Sequence, residues 1–132
     1  MAKIVHTQEY DRWSFDPPMP VLDLVLSRPG QNVSAIEVEA IIDTGADGTL
    51  VPQDLLDQIG APFVDQAYLR GVTGDRQPVE MYLITVRVAA LTFSGIRVAA
   101  LPVGDVMILG RDVLNQLHLG LVGVATTTEV IM

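Results

Sequence analysis

One carboxylate stands where an apolar run ends. In "AIIDTGADGTL", residues 40–50, Ile41 and Ile42 lead straight into Asp43, followed by Thr44, Gly45, Ala46 and a second acid, Asp47. A charge at the edge of a core carries a desolvation cost, so its position needs a reason. Two readings are open. Asp and Gly are ordinary turn residues, and the stretch suits a strand exit. Alternatively, the carboxylate is held there to move protons. A second apolar run meets a glycine at "MILGRDVL", residues 107–114, and puts Arg111 and Asp112 after it. His6 and His118 lie too far apart to suggest a ligand set. Cysteine is absent, which excludes disulfides and thiolate zinc sites. Asp105 reads as a loop acid, and Met81, Met107 and Met132 as packing residues.

Several elements must position these residues. "VLDLVLS" from Val21 alternates as a strand, and "RPGQN" reads as a turn. In "AIEVEAII", Ile36, Val38, Ala40 and Ile42 share one face while Glu37 and Glu39 take the other. This period of two predicts a half-buried strand that delivers the chain to Asp43. "VPQDLLDQIGAP" predicts a short helix, with Pro52 at its start, Leu55, Leu56 and Ile59 on one face, Gly60 as the cap and Pro62 as the stop. "YLRGVTGDRQPVEMYLITVRVAAL" predicts a hairpin turning near Gly71 to Asp75 and returning along a long strand. "FSGIRVAALPVG" predicts a further turn and strand, and "RDVLNQLHLG" a second helix capped by Gly120. "QDLLDQI" at 53–59 aligns without gaps with "RDVLNQL" at 111–117, as two related halves would, with the acid kept only in the first. The tail "LVGVATTTEVIM" is strand-like. Residues 1–20 carry three prolines in "FDPPMP" and read as an arm or edge strand, with Trp13 pinned to the body.

Composition bounds the function. A chain of 132 residues predicts one domain. Hydrophobic content of 49% against 5% aromatic predicts an aliphatic, β-rich core. Net charge of −8 argues against nucleic acid as a partner. No apolar run is long enough to span a bilayer, and the first residues are too polar for a secretory signal. Lack of cysteine suits a reducing compartment, so the expectation is a soluble cytoplasmic domain with no membrane partner.

Apolar-apolar-Asp-Thr-Gly-Ala-Asp, a glycine-bearing hairpin, then apolar-apolar-Gly-Arg-Asp before a helix resembles the retropepsin-like aspartic proteases. The resemblance covers roughly residues 21 to 120. It implies an all-β, closed barrel-type acid-protease fold with one or two short helices, with residues 21–132 as the protease domain behind the 1–20 arm. It implies a homodimer in which Asp43, Thr44 and Gly45 form the catalytic motif, Asp43 of each chain supplying one carboxylate. Thr44 would bridge the subunits beneath the acids, and Gly45 would let the backbone approach them. Asp47 and Arg111 would form a buried structural ion pair, with Ala46 and Asp47 facing substrate. "RGVTGDR" would be a flap over the bound peptide, placing Gly71, Val72, Thr73 and Gly74 against it, and Val103, Val106 and Ile108 would line side-chain pockets.

The chemistry agrees with that resemblance. Hydrolysis without a metal or nucleophilic side chain needs one group to deprotonate water and another to protonate the carbonyl oxygen. Two crowded carboxylates share one proton and serve both ends. The expected substrate is a polypeptide bound as an extended strand, and no cofactor is called for. A second copy supplies the second acid by symmetry, and "TTTEVIM" is expected to offer it an unpaired strand edge. Were a second acid needed within one chain, Asp105 and Asp112 are the first candidates. The rival reading is a non-catalytic dimer of the same fold that binds peptides.

Overall fold

The alternation of "VLDLVLS" and "AIEVEAII" becomes an antiparallel pair, β2 (Val21–Ser27) and β3 (Ile36–Ile42). Leu22, Leu24 and Leu26 point inward from β2, and Ala40 and Ile42 from β3. Glu37 and Glu39 stay outside. In this computed structural model, which describes residues 2–31, 34–71 and 73–132, these strands open a seven-stranded sheet. Its other members are β4 (Leu50–Pro52), β5 (Phe63–Arg70), β6 (Arg76–Val88), β7 (Leu91–Leu101) and β8 (Ile108–Leu109), in the order β2-β3-β8-β4-β7-β6-β5. The far end of β2 also pairs with β6, Val25 to Ser27 against Arg87 to Thr85, which curls the sheet into a closed barrel. Leu26, Val51, Ile84, Val86, Val88, Val98 and Leu109 fill the interior. The fold is all-β with two short α-helices among the described residues. The core is aliphatic, and each fully buried Leu or Ile in it contributes about 1.5–3 kcal/mol.

Helix α1 (Gln53–Ile59) buries Leu56 and Ile59 and ends at Gly60, whose φ of +67° is the left-handed conformation that glycine adopts without strain. Helix α2 (Arg111–Leu114) is shorter than its sequence suggests. It stops at Asn115, and the predicted cap Gly120 lies inside a strand, β9 (His118–Val122). Tertiary pairing wins over helix propensity there, because β9 adds to β10 (Thr127–Ile131). A side chain at 120 would press on Glu129 opposite, its Cβ 3.2 Å from the carboxylate.

The turn predicted at "FSG" is also displaced. The chain reverses at Ala89–Ala90, with Ala89 at φ +51°. Such two-residue hairpin turns demand positive φ, and alanine gives no hint of one. Gly95, at φ +69°, instead sits within β7 where its register with β6 slips.

Strand β1 (Ile4–Glu9) joins β9 and β10 in a second sheet, ordered β1-β10-β9. The chain ends zip together: Lys3 N–H donates to the Met132 carbonyl at 2.7 Å, and Met132 N–H returns a bond to Lys3 at 2.9 Å. "TTTEVIM" is therefore the middle strand, paired on both sides, and offers no free edge. The edges belong to β1 and β9. Trp13 is not pinned to the body: it is 91% exposed.

Candidate active site

Asp43 continues a parallel ladder. Ile41 and Ile42 of β3 pair with Ile108 and Leu109 of β8, and Asp43 N–H donates to the Leu109 carbonyl at 3.1 Å. The chain then turns sharply. Ala46 N–H donates to the Asp43 carbonyl at 3.1 Å, and Gly45 N–H to Asp43 Oδ1 at 2.9 Å. The carboxylate is half-buried, while Thr44 and Gly45 are exposed. A Cβ on residue 45 would lie 3.1 Å from Asp43 Oδ1, so glycine lets the loop close over the acid without crowding it.

What fixes this loop comes from the other half of the chain. Gly110 ends β8 directly against Gly48, where a Cβ would fall 2.3 Å from the Gly48 carbonyl oxygen. No side chain fits. Arg111 N–H donates to the Ala46 carbonyl at 2.9 Å, and its Nη1 to the Thr44 carbonyl at 2.7 Å. Its Nη2 pairs with Asp47. This pair is not buried, as the resemblance implied: the Asp47 side chain is 94% exposed, because the loop rims an open cleft. An exposed pair of this kind contributes only about 0–1 kcal/mol, so its weight lies in orienting the loop.

The strongest clamp joins Thr49, which carried no role in the sequence reading, to Asp112, which was a candidate second acid. Buried Thr49 donates its hydroxyl to Asp112 Oδ1 at 2.7 Å and its N–H to Oδ2 at 3.1 Å. The same hydroxyl accepts from Gly110 N–H at 3.1 Å. Asp112 Oδ1 also accepts from Val113 N–H at 2.9 Å. Both oxygens of Asp112 are thus occupied in holding the loop, which removes it as a candidate second acid. The available signal was positional: Asp112 sits in the first turn of a helix, where carboxylates find N–H groups.

Above the loop stands the β5–β6 hairpin. Between them lies a cleft of ≈ 490 Å³, with Gly45 to Leu50 on one side, Tyr68 to Arg70 on the other, and Met81, Arg97 and Ala99 behind. Ala46 and Asp47 are in this cleft. Arg97 is held by Asp65. Gly71 and Thr73 lie at the hairpin tip beside a smaller recess. That tip is closed by bonds from Gly71 N–H to the Asp75 carbonyl and from Gly74 N–H to the Gly71 carbonyl. Val72 lies outside the described residues. Val103 and Val106 are exposed on the loop before β8, and Ile108 is half-buried between β3 and β4. Another recess, ≈ 440 Å³, lies over β2 and β3 among His6, Asp23, Glu37, Glu39 and Arg87, and contains none of the Asp43 loop. Among the described residues no group of three or more His, Asp or Glu is placed to hold a metal ion.

Comparison with known proteins agrees with this geometry. The family model described as "gag-polyprotein putative aspartyl protease" matches residues 32–116. No curated protein matches the chain. Among solved structures, a retropepsin-like aspartic protease from Rickettsia conorii superposes with a TM-score of 0.64 at 12% identity, covering 99% of this chain and 94% of that one. The protease of EIAV, complexed with the inhibitor HBY-793, superposes with a TM-score of 0.55 at 20% identity, over 74% of this chain and 86% of that one. The fold is shared with both, and with the family model matching most of its length, the chain belongs to the retropepsin-like aspartic proteases.

Proposed function

We propose that the protein is an aspartic endopeptidase whose active form is a homodimer. The observation that carries this reading is Asp43 itself: a half-buried acid at the start of a loop that is clamped from below and whose next residues, Gly45 to Leu50, line a cleft. One chain supplies one such acid, and a twofold axis beside the loop supplies the other. Two carboxylates brought together across that axis share one proton. The ionised one takes a proton from water as its oxygen attacks the peptide carbonyl carbon, and the protonated one gives its proton to the carbonyl oxygen. The tetrahedral intermediate then collapses: one of its hydroxyls gives a proton to the ionised carboxylate, the departing nitrogen takes the proton of the other, the C–N bond breaks, and the pair is left with one proton as at the start.

Other residues take supporting parts. Gly45 keeps space for the carboxylate, exposed Thr44 meets the opposite loop, and the hairpin around Gly71, Thr73 and Gly74 folds over the substrate. Substrate lies extended along the cleft past Ala46 and Asp47, with Val103, Val106 and Ile108 contributing apolar contacts. The mechanism calls for no cofactor. The absence of cysteine suits a reducing, cytoplasmic setting, and no helix among the described residues is long and apolar enough to cross a membrane.

Asp43→Asn tests the assignment. The amide is nearly isosteric, so folding and dimerisation should persist while peptide hydrolysis falls by at least about a thousandfold. Undiminished cleavage by the purified variant would remove Asp43 from the reaction, and a wild type that binds peptides without cleaving any would leave the non-catalytic reading.

A further inference from the structure

The chain's single tryptophan is the largest side chain the fold leaves outside, and the backbone beneath it is firmly set. Asp11 and Met19 bridge in both directions, at 2.9 and 3.0 Å, closing the loop 12–18 at its base. Inside that base, Asp11 Oδ1 accepts from Trp13 N–H and from Ser14 N–H, each at 2.9 Å. A second tie runs to the corner between β9 and β10. Tyr10 N–H donates to the Thr126 carbonyl at 2.8 Å, and Arg12 Nη2 to Thr126 Oγ1 at 3.1 Å. That corner carries Val124, at 102% exposure, with Leu121, at 50%, in the adjoining strand. Two loops joined at Thr126 therefore each present an uncovered apolar residue.

The position of this patch matters. Pro20, one residue past the Asp11–Met19 bridge, accepts the Ile42 N–H at 3.1 Å. Ile42 is the residue before Asp43. The Trp13 loop thus stands at the end of the barrel from which the acid emerges. An ordered, exposed Trp buries on the order of 150–250 Å² on association, and such side chains are the usual centres of binding energy in an interface.

We infer that Trp13, with Val124 on the loop tied to its own, anchors the contact between two copies of this chain. The inference rests on the proposed function, because only a second copy completes the Asp43 site, and the surfaces beside Asp43 must then face each other across the twofold axis. β10 is not available as an exchanged strand, since it already has partners on both sides within its own chain. At the end of the barrel where the acid emerges, Trp13 is the largest exposed apolar side chain among the described residues.

A lone tryptophan makes the test direct. Emission of the wild type should shift to the blue as concentration rises, with the same midpoint as dimer formation in sedimentation. Trp13→Ala should weaken dimerisation by at least about tenfold with unchanged far-UV circular dichroism, and should lower activity at low enzyme concentration while restoring it at high concentration. Val124→Ser should act in the same direction through a smaller loss. A dimer that cleaves peptide while Trp13 keeps the emission of a water-exposed indole would overturn the inference and leave the proposed function standing. A blue shift that appears only when peptide is added to the already dimeric Asp43→Asn protein would overturn it in favour of a substrate contact. A monomer without peptidase activity at every concentration would overturn both.

Discussion

The two halves of the chain repeat one pattern and use it differently. In the first, β3 leads through the Asp43 loop and β4 to α1; in the second, β8 leads through Gly110 directly to α2. The helix sequences "QDLLDQI" and "RDVLNQL" align, and the alignment pairs Asp54 with Asp112. Each of these acids reaches into the other half. Asp112 grips Thr49 by two bonds of 2.7 and 3.1 Å, whereas Asp54 accepts only a long 3.5 Å contact from Gly104 N–H. The difference separates two duties. The half without a proposed catalytic acid clamps the loop that carries it, and the half with that acid barely restrains the 102–107 loop, where Val103 and Val106 are exposed. Under the proposed function, rigidity falls where a proton would be positioned, and looseness where substrate side chains of different size would be met.

The largest test of this contrast is Thr49→Val, which keeps the shape and deletes the hydroxyl. Gly110 N–H, buried, is then left without its acceptor, and Asp112 loses its shortest bond. Stability should fall by about 1–3 kcal/mol, measured by urea unfolding, and kcat should fall roughly tenfold or more as the Asp43 loop loosens. A variant with wild-type kcat would show that the clamp serves folding alone.

Asp54→Ala is the matching change in the other half and should do much less. A contact at 3.5 Å is at the edge of hydrogen bonding, so the expected stability loss is under about 0.5 kcal/mol. Its effect should appear in KM for substrates of different side-chain size, with kcat nearly unchanged. If Asp54→Ala proves as damaging as Thr49→Val, the two halves are clamped alike and the contrast fails.

Much of this was legible in the chain. The alternation in β2 and β3, the punctuated helix α1 and the hairpin around Gly71 to Asp75 were all visible, because each depends on residues close in sequence. "IIDTGAD" and "MILGRDVL" were visible for the same reason. Hidden features depend on distant partners. The Thr49–Asp112 clamp spans 63 positions, and the sheet that joins both chain ends unites β1 with β10. Gly120 looked like a helix cap because glycine serves both caps and crowded strands. Nothing local tells Glu129 from any other neighbour. Ala89–Ala90 hid a turn because its requirement lies in the backbone rather than in the side chains.

The smallest expected effect separates the strands that lead into the two turns. β8 is apolar throughout, but β3 carries Glu39 four positions before Asp43. Burial, and then the negative charges of Asp11 and Asp23, push the Glu39 carboxyl above the usual glutamate range. A raised carboxyl favours its protonated form in the folded state, so its contribution is fully present below the unfolded glutamate value and is lost as pH rises through the folded one. At neutral pH the ionised Glu39 therefore costs stability. Glu39→Gln removes the charge while keeping the shape, so it should be more stable than wild type at neutral pH. That advantage should shrink as pH falls into the range where both states of the wild type are protonated. Asp11 moves the opposite way, lowered first by the Ser14 N–H bond. A side-chain bond with Glu39 also lowers Asp11, so the difference between the urea midpoints reads Glu39 together with its coupling to Asp11. A difference that is flat from acid to neutral pH would mean that β3, like β8, approaches its turn without electrostatic strain.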